Sequence, residues 1–445
     1  MNDGHDPESG AENSEPKNVQ TLSLFSAVNL VAASMIGAGV YTTSGFTLGD
    51  LGSPYRVLAA WVIGGVIAMC GAISYGALAS RFTSSGGEYL YLSRTVHPAA
   101  GYIAGVVSVL AGFTGATAFA ATAFESYLPK WEPLADLPAG TIASLAIAIG
   151  ALLHGVHARL GTPVQDAMVV GKFILLFIFF CVAASSYPES WRGLDAVTTT
   201  PFSWSAFAVS LMWISLSYSG FNAAVYVASE VHEPQVNVAR SLWIATLIVA
   251  ILYVALNAVF VFASASADII GQQEIAVISA RQIGGANFES LIRAVILVSL
   301  ATSISALMMS GPRVYAKMAD DGVLPSWFRF QNTAPTKAIA MQAFLAIAVV
   351  QLSKLKELLS YLGFTLSLSA ALTVATLFLL RYRGDKISVP LYPWPPLIFV
   401  TATLMVATIA GIQKPIECMA GVITLTVGLV VYFSGIAKKT DTMSP

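Results

Sequence analysis

Two stretches of eight residues decide the fold: Ser34-Met35-Ile36-Gly37-Ala38-Gly39-Val40-Tyr41 and Ser215-Leu216-Ser217-Tyr218-Ser219-Gly220-Phe221-Asn222. Each lies inside a long apolar run, and each carries residues that weaken a helix. Glycine costs about 1 kcal/mol against alanine in a helix interior. The first stretch sets two glycines around one alanine. The second gathers three serines, one asparagine and a glycine at mid-run. One reading is close helix packing, which small residues allow in lipid. The sharper reading is that both helices break here.

The surroundings favour the sharper reading. Hydrophobic residues make up 56% of the 445 residues and charged residues 11%, against roughly 25% charged in a soluble domain. Mean hydropathy is +0.72. A bilayer-spanning helix needs about 20 mostly apolar residues. Twelve stretches qualify: 22–48, 55–80, 97–126, 139–157, 164–184, 204–229, 239–264, 288–312, 336–353, 358–380, 394–412 and 416–437. The ten-residue alternation of a β-barrel is missing. The fold class is therefore an all-α polytopic membrane protein. Residues 1–20 are acidic and polar, which predicts a disordered tail rather than a signal peptide. With the N-terminus inside, fourteen Lys and Arg fall in inside segments and eight in outside ones. That asymmetry places both termini in the cytoplasm. A net charge of −1 gives no electrostatic case for nucleic acid. Cys70, Cys181 and Cys418 all lie in apolar runs and read as packing residues, with no metal spacing and no disulfide framework.

The two interrupted stretches belong to spans one and six. Five spans separate equivalent points, and an odd number inverts the second unit. Interrupted helices at matching points of inverted halves point to a transporter's binding site. Broken backbone at membrane depth persists where it lines a cavity or is buried in protein. Exposed helix N-termini offer N–H groups and a positive dipole end to a carboxylate. Exposed C-termini offer carbonyls to an ammonium. A zwitterion such as an α-amino acid satisfies both.

Four stretches then resemble one family, the amino acid–polyamine–organocation (APC) superfamily of secondary transporters. They are Ile36-Gly37-Ala38-Gly39-Val40-Tyr41, Ser85-Gly86-Gly87-Glu88-Tyr89, Ser219-Gly220-Phe221-Asn222 with Ser229-Glu230-Val231-His232-Glu233-Pro234, and Arg313 through Pro325. The match runs from about 22 to 383. The resemblance implies twelve transmembrane helices in a five-plus-five inverted repeat of the leucine-transporter kind, plus two C-terminal helices. The first repeat then covers 21–200, the second 201–383 and the last helix pair 384–437, with a cytoplasmic tail at 438–445. The resemblance also implies how a substrate sits. Backbone around Met35, Ile36, Gly37, Ala38 and Gly39 receives the α-carboxylate. Carbonyls near Leu216 and Ser219 take the α-amine. Asn222 stands where many members carry an acid, and Tyr218 replaces a frequent phenylalanine.

One charge lies within an apolar run. Lys172, in Val169-Val170-Gly171-Lys172-Phe173-Ile174-Leu175, precedes about a dozen mostly apolar residues. It either snorkels to the cytoplasmic interface or is a functional intramembrane charge. By the resemblance it matches the fifth-helix lysine that replaces sodium in proton-coupled relatives, against first-helix carbonyls and an eighth-helix hydroxyl. Ser299, Thr302 and Ser303 share one helix face, and Ser303 is the favoured partner. Gain and loss of a proton there would bias the two transport states.

The remaining polar residues receive structural readings. Glu125 and Arg293 read as interfacial, and Glu230 and Glu233 as shaping the cytoplasmic end of the sixth helix. Arg313, Asp320 and Asp321 form a candidate gate. The histidines make no metal pair. Trp61, Trp204 and Trp243 read as interfacial belt residues. An intramembrane enzyme would need a nucleophile–base pair or metal ligands at depth, and neither is present. The expected function is proton-coupled amino acid transport across the cell membrane, with no cofactor and no metal. The alternatives are a sodium-coupled symporter, an amino acid or polyamine exchanger, and a channel or sensor on the same fold. The absence of a carboxylate in the core spans favours neutral amino acids.

Overall fold

The structure is a computed structural model and describes residues 22–129, 136–187, 191, 201–331, 334–352, 355–413 and 415–434. The two tails expected at 1–20 and 438–445 lie outside the described residues. Helix α1 (Leu24–Met35) is followed by α2 (Gly39–Leu51), α3 (Pro54–Arg81), α4 (Gly87–Thr95) and α5 (Pro98–Val107). A π-helical stretch (Ser108–Gly115) joins α5 to α6 (Ala116–Tyr127). Then come α7 (Thr141–Gly155), α8 (Ala158–Ser185) and α9 (Trp204–Ser217), a 3-10 stretch (Ala223–Glu230), α10 (Pro234–Ala263), α11 (Ser266–Ile269) and α12 (Ile275–Asp320). The chain ends in α13 (Thr336–Leu352), α14 (Leu355–Tyr382), α15 (Trp394–Gln413) and α16 (Pro415–Phe433). Among the described residues there is no strand, only two isolated bridges, Leu22 with Val231 and Gln331 with Ala334.

Among those residues, seven helices are long and apolar enough to cross a membrane, or eight with the bent pair Leu24–Met35 and Gly39–Leu51 counted as one span. Shorter apolar helices cover Thr141–Gly155, Trp204–Ser217, Thr336–Leu352 and Gly421–Phe433. The molecule is thus a multi-pass helical membrane protein. Its outer faces carry large exposed apolar side chains such as Phe177 and Phe344, as a lipid solvent requires.

Local chemistry sets the helix ends. Ser23 caps α1 by accepting from the Ser26 N–H at 3.1 Å. Pro54, Pro98 and Pro234 open α3, α5 and α10, where a missing N–H costs nothing. Glu125 caps α7 from outside: its two carboxylate oxygens accept from Gly140 N and Ala143 N, each at 2.8 Å. The stretch α12 is two helices joined at a kink, because Gly284 and Gly285 leave the helical conformation (Gly285 φ +65°); the second begins close to the expected start at 288 and runs past the expected end at 312, to Asp320.

The interior corrects one expectation. Trp61 is not a belt residue. It is fully buried, donates from Nε1 to Ser44 Oγ at 2.8 Å, and packs edge-on against Tyr253. Its run of apolar neighbours looks the same whether a helix face meets lipid or protein. Trp204, by contrast, is exposed. Cys70 is buried and Cys181 exposed.

Candidate functional site

The first helix breaks between Met35 and Gly39. Its axis bends by 40° there. In an unbroken helix the Met35 carbonyl would accept from the Gly39 N–H four residues on. Instead it accepts from Gly37 N at 2.9 Å and from the Tyr253 hydroxyl of α10 at 2.5 Å. Helix α2 then restarts at Gly39, with Ala38 as an N-cap that supplies no side-chain bond. Its first N–H groups therefore lack intrahelical partners.

The second break mirrors this chemistry. Helix α9 ends at Ser217, and a 3-10 stretch resumes at Ala223. Gly220 turns the chain with φ +96°, a conformation that L side chains rarely adopt. A Cβ at Gly220 would also lie 2.7 Å from the Ser34 carbonyl oxygen. The Ser217 carbonyl accepts from the same Tyr253 hydroxyl at 3.1 Å. One buried tyrosine thus faces both interrupted ladders, its single proton shared between two carbonyls.

The breaks touch. A Cβ at Gly39 would stand 2.5 Å from Ser217 Oγ, 2.9 Å from its Cβ and 3.1 Å from its Cα. Thr43 Oγ1 and Ser217 Oγ lie 3.0 Å apart. Met35, Ile36 and Ala38 are buried, and Gly37 and Gly39 partly so. Between Ile214 and Glu230, Ser219 alone is exposed. Leu216 sits one turn before the break and its carbonyl accepts from the Ser219 N–H at 3.1 Å.

Asn222 does not point at the first break. Its amide donates to Glu88 Oε1 at 2.7 Å and to the Tyr226 hydroxyl at 2.8 Å. The side chain turns instead to α4, which presents a buried carboxyl group there.

Lys172, on α8, does not snorkel: it is fully buried. Its Nζ donates to Thr302 Oγ1 of α12 at 3.1 Å. This corrects the preference for Ser303. Successive residues on a helix point about 100° apart, so the ammonium meets Thr302 while Ser303 faces the first break, 3.8 Å from where a Cβ of Gly37 would be. Among the described residues, no first-helix carbonyl lies within hydrogen-bond distance of Nζ and no carboxylate pairs with it. Tyr41, just beyond the first break, bonds Ser299 on the same α12 face at 2.9 Å.

The end of the bundle around Glu230, expected from the sequence to be cytoplasmic, is tied several times over. Arg313 donates to Glu230 through Nε at 2.7 Å and a terminal nitrogen at 3.0 Å, and its other terminal nitrogen donates to the Met309 carbonyl. Ser85 and Ser229 hydroxyls lie 2.7 Å apart. Leu22 donates to the Glu230 carbonyl and accepts from the His232 N–H, both at 2.9 Å. Tyr89 donates to Asp321, which also pairs with Lys317 at 2.8 Å. Arg313 and Asp321, two members of the expected gate, thus each sit in an ion pair, Arg313 with Glu230 and Asp321 with Lys317. Asp320 stands apart, near Arg329 at 3.5 Å.

Two carboxylates escaped the sequence reading. Asp166, in the N-terminal part of α8, accepts from Ser26 Oγ at 2.6 Å and Asn29 Nδ2 at 3.0 Å, anchoring α1. Glu88 entered only as part of a motif. The signal that could have singled it out is an acid beside two glycines at the start of an otherwise aromatic and apolar helix.

A family model described as an amino acid permease matches residues 22–433. The chain is 25% identical to the large neutral amino acids transporter small subunit 2 of Rattus norvegicus, over 93% of this chain and 80% of the relative. It is 23% identical to the Asc-type amino acid transporter 1 of Mus musculus, over 93% and 81%. It is 24% identical to a serine/threonine exchanger of Bacillus subtilis (strain 168), over 94% and 97%.

Proposed function

The chain belongs to the amino acid permease family, and from that premise we propose that it is a secondary active transporter of neutral α-amino acids in the cell membrane. One observation carries the reading. Two interrupted helices meet with the uncapped N-terminus of α2 beside the C-terminus of α9. The α2 terminus presents unpaired N–H groups to a carboxylate. The α9 terminus presents carbonyls to an ammonium. Met35, Ile36, Gly37, Ala38 and Gly39 form the carboxylate side, and Leu216 and Ser219 the amine side. Asn222 sets the floor of the site through its bond to Glu88.

The printed names of the relatives, for large neutral amino acids and for serine and threonine, support the neutral class. Twelve spans in a five-plus-five inverted repeat, with both termini cytoplasmic, accommodate the two breaks at equivalent points. Lys172 and Thr302 are the coupling pair, while Ser303, expected from the sequence to share that role, faces the first break. A buried ammonium without a counter-ion exchanges its proton with the transport cycle, which makes protons the driving ion. Exchange is the second reading, favoured by the name of the Bacillus relative.

The test is a thermal-shift screen of the twenty amino acids on detergent-purified protein, followed by uptake into proteoliposomes. Neutral amino acids should raise Tm, and an inward proton gradient should drive their accumulation without sodium. Stabilisation by arginine and lysine alone, or strict sodium dependence, would overturn the proposal. Uptake that requires amino acid inside the vesicle selects exchange.

A further inference from the structure

Glu88 opens α4 and is buried to 5% exposure. Three side chains converge on its Oε1: the Tyr75 hydroxyl of α3 at 2.8 Å, the Asn222 amide at 2.7 Å and the Tyr226 hydroxyl at 3.0 Å. Asn222 also donates to Tyr226, so the donor assignments are self-consistent. The other oxygen, Oε2, is sealed from solvent and has no hydrogen-bond partner. All three partners are neutral.

The charged groups around α4 are committed elsewhere. On α12, Lys317 pairs with Asp321. Arg313 pairs with Glu230 at the end of the second broken helix. Arg383, following α14, donates to the Thr95 carbonyl at the far end of α4 at 2.6 Å. Tyr91 adds a further buried hydroxyl on α4 itself. Among the described residues no cation pairs with Glu88.

A buried carboxylate needs a cation, or donors on both oxygens. Glu88 has neither. A protonated carboxyl fits the asymmetry: the carbonyl oxygen gathers the donors and the hydroxyl oxygen carries the proton. An unpartnered neutral O–H costs less than an unpartnered charge. Burial also pushes this carboxyl above its ordinary range, against hydrogen bonds that pull it down.

We propose that Glu88 is a proton-binding site that latches the cytoplasmic end of the second broken helix. With a proton on Oε2, Glu88 holds Asn222 and Tyr226 against α4. When that end swings away, water reaches the carboxyl and the proton passes to the cytoplasm. Ionised Glu88 favours the hydrated, open arrangement, so cytoplasmic acid holds the latch shut. The meaning for transport rests on the transporter reading above. The protonation itself does not.

Infrared difference spectroscopy on the purified full-length protein tests the site without substrate. Wild type should show the C=O stretch of a protonated buried carboxyl, and Glu88→Gln should lack it. Tyr226→Phe removes one donor to that carbonyl and should shift the band to higher frequency. Lys172→Ala should retain it. In proteoliposomes, wild-type flux should fall several-fold as the interior is acidified. Glu88→Gln should be slow at every internal pH, with a flat profile, and Glu88→Asp should restore the dependence. A carboxyl band absent from wild type, or unmoved by both Glu88→Gln and Tyr226→Phe, overturns the proposal whatever the flux shows. A wild-type pH profile in Glu88→Gln overturns it as well. Loss of uphill accumulation in Lys172→Ala with the band intact separates the Lys172 mechanism from this one.

Discussion

Lys172 and Glu88 are buried ionisable groups near the paired helix breaks, one basic and one acidic, and neither has an ionic partner among the described residues. Lys172 lies behind the first break, on α8, with a threonine hydroxyl as partner. Glu88 lies beside the second, with an amide and two phenols. Arg313 and Glu230 show the contrasting arrangement: a bidentate ion pair, each charge answered. A paired buried charge is structural cement, because removing either partner strands the other. An unpaired one is held by neutral dipoles and is free to change protonation as its surroundings change. The difference separates fixed parts of the molecule from those able to report on a proton.

The harshest way to break this comparison is Lys172→Ala. Proton-driven accumulation should vanish while the thermal shift on adding substrate survives, because the proposed substrate contacts come from the two breaks. Accumulation at the wild-type rate would return Lys172 to a packing role.

Next is the first break itself. Gly39→Val drives a branched side chain into Ser217 and should remove measurable amino acid binding from a protein that still purifies as a single species. Gly37→Ala meets nothing closer than Ser303 Oγ at 3.8 Å and should bind normally. Equal behaviour of the two variants would show that the approach of the breaks is not what receives substrate.

A finer cut distinguishes two neighbouring hydroxyls. Thr302→Ala removes a hydrogen bond to a charged group, worth about 1.5–3 kcal/mol, so the pH midpoint of transport should move visibly. Ser303→Ala should leave that midpoint in place. The reverse pattern would restore Ser303 as the lysine's partner.

The smallest effect concerns stability. Because folding raises the Glu88 carboxyl, its contribution is present in acid and is lost as pH rises through the raised value. Melting curves of wild type should therefore decline with alkalinity more steeply than those of Glu88→Gln. Parallel curves would mean that Glu88 does not titrate in the folded protein.

Lys172 was legible because a charge inside an apolar run violates the composition around it. The breaks were legible for the same kind of reason, glycine and serine where a membrane helix wants leucine. Glu88 was not, since an acid that follows Ser84-Ser85-Gly86-Gly87 looks like the solvated start of a helix until α3 and the second broken helix close over it. Thr302 and Ser303 differ by one step around a helix, and only the approach angle of Lys172 decides between them. Trp61 misled because apolar periodicity does not say whether a face meets lipid or protein. Tyr253 gave no sign at all: a tyrosine in an apolar span has many uses, and its value here comes from the carbonyls of Met35 and Ser217, which lie far apart in sequence.

The two broken helices are fastened at two heights. Tyr253 joins them at the breaks, and Leu22, before the first, bridges Glu230 and His232 at the end of the second. Two fastenings set apart along a pair of rods remove sliding and splaying, and leave one hinge axis through both points. The halves between the two fastenings then behave as a single plate. A spin label or fluorophore pair reading the displacement of one helix reads that of the other, and a single distance is enough to follow the pair through the cycle.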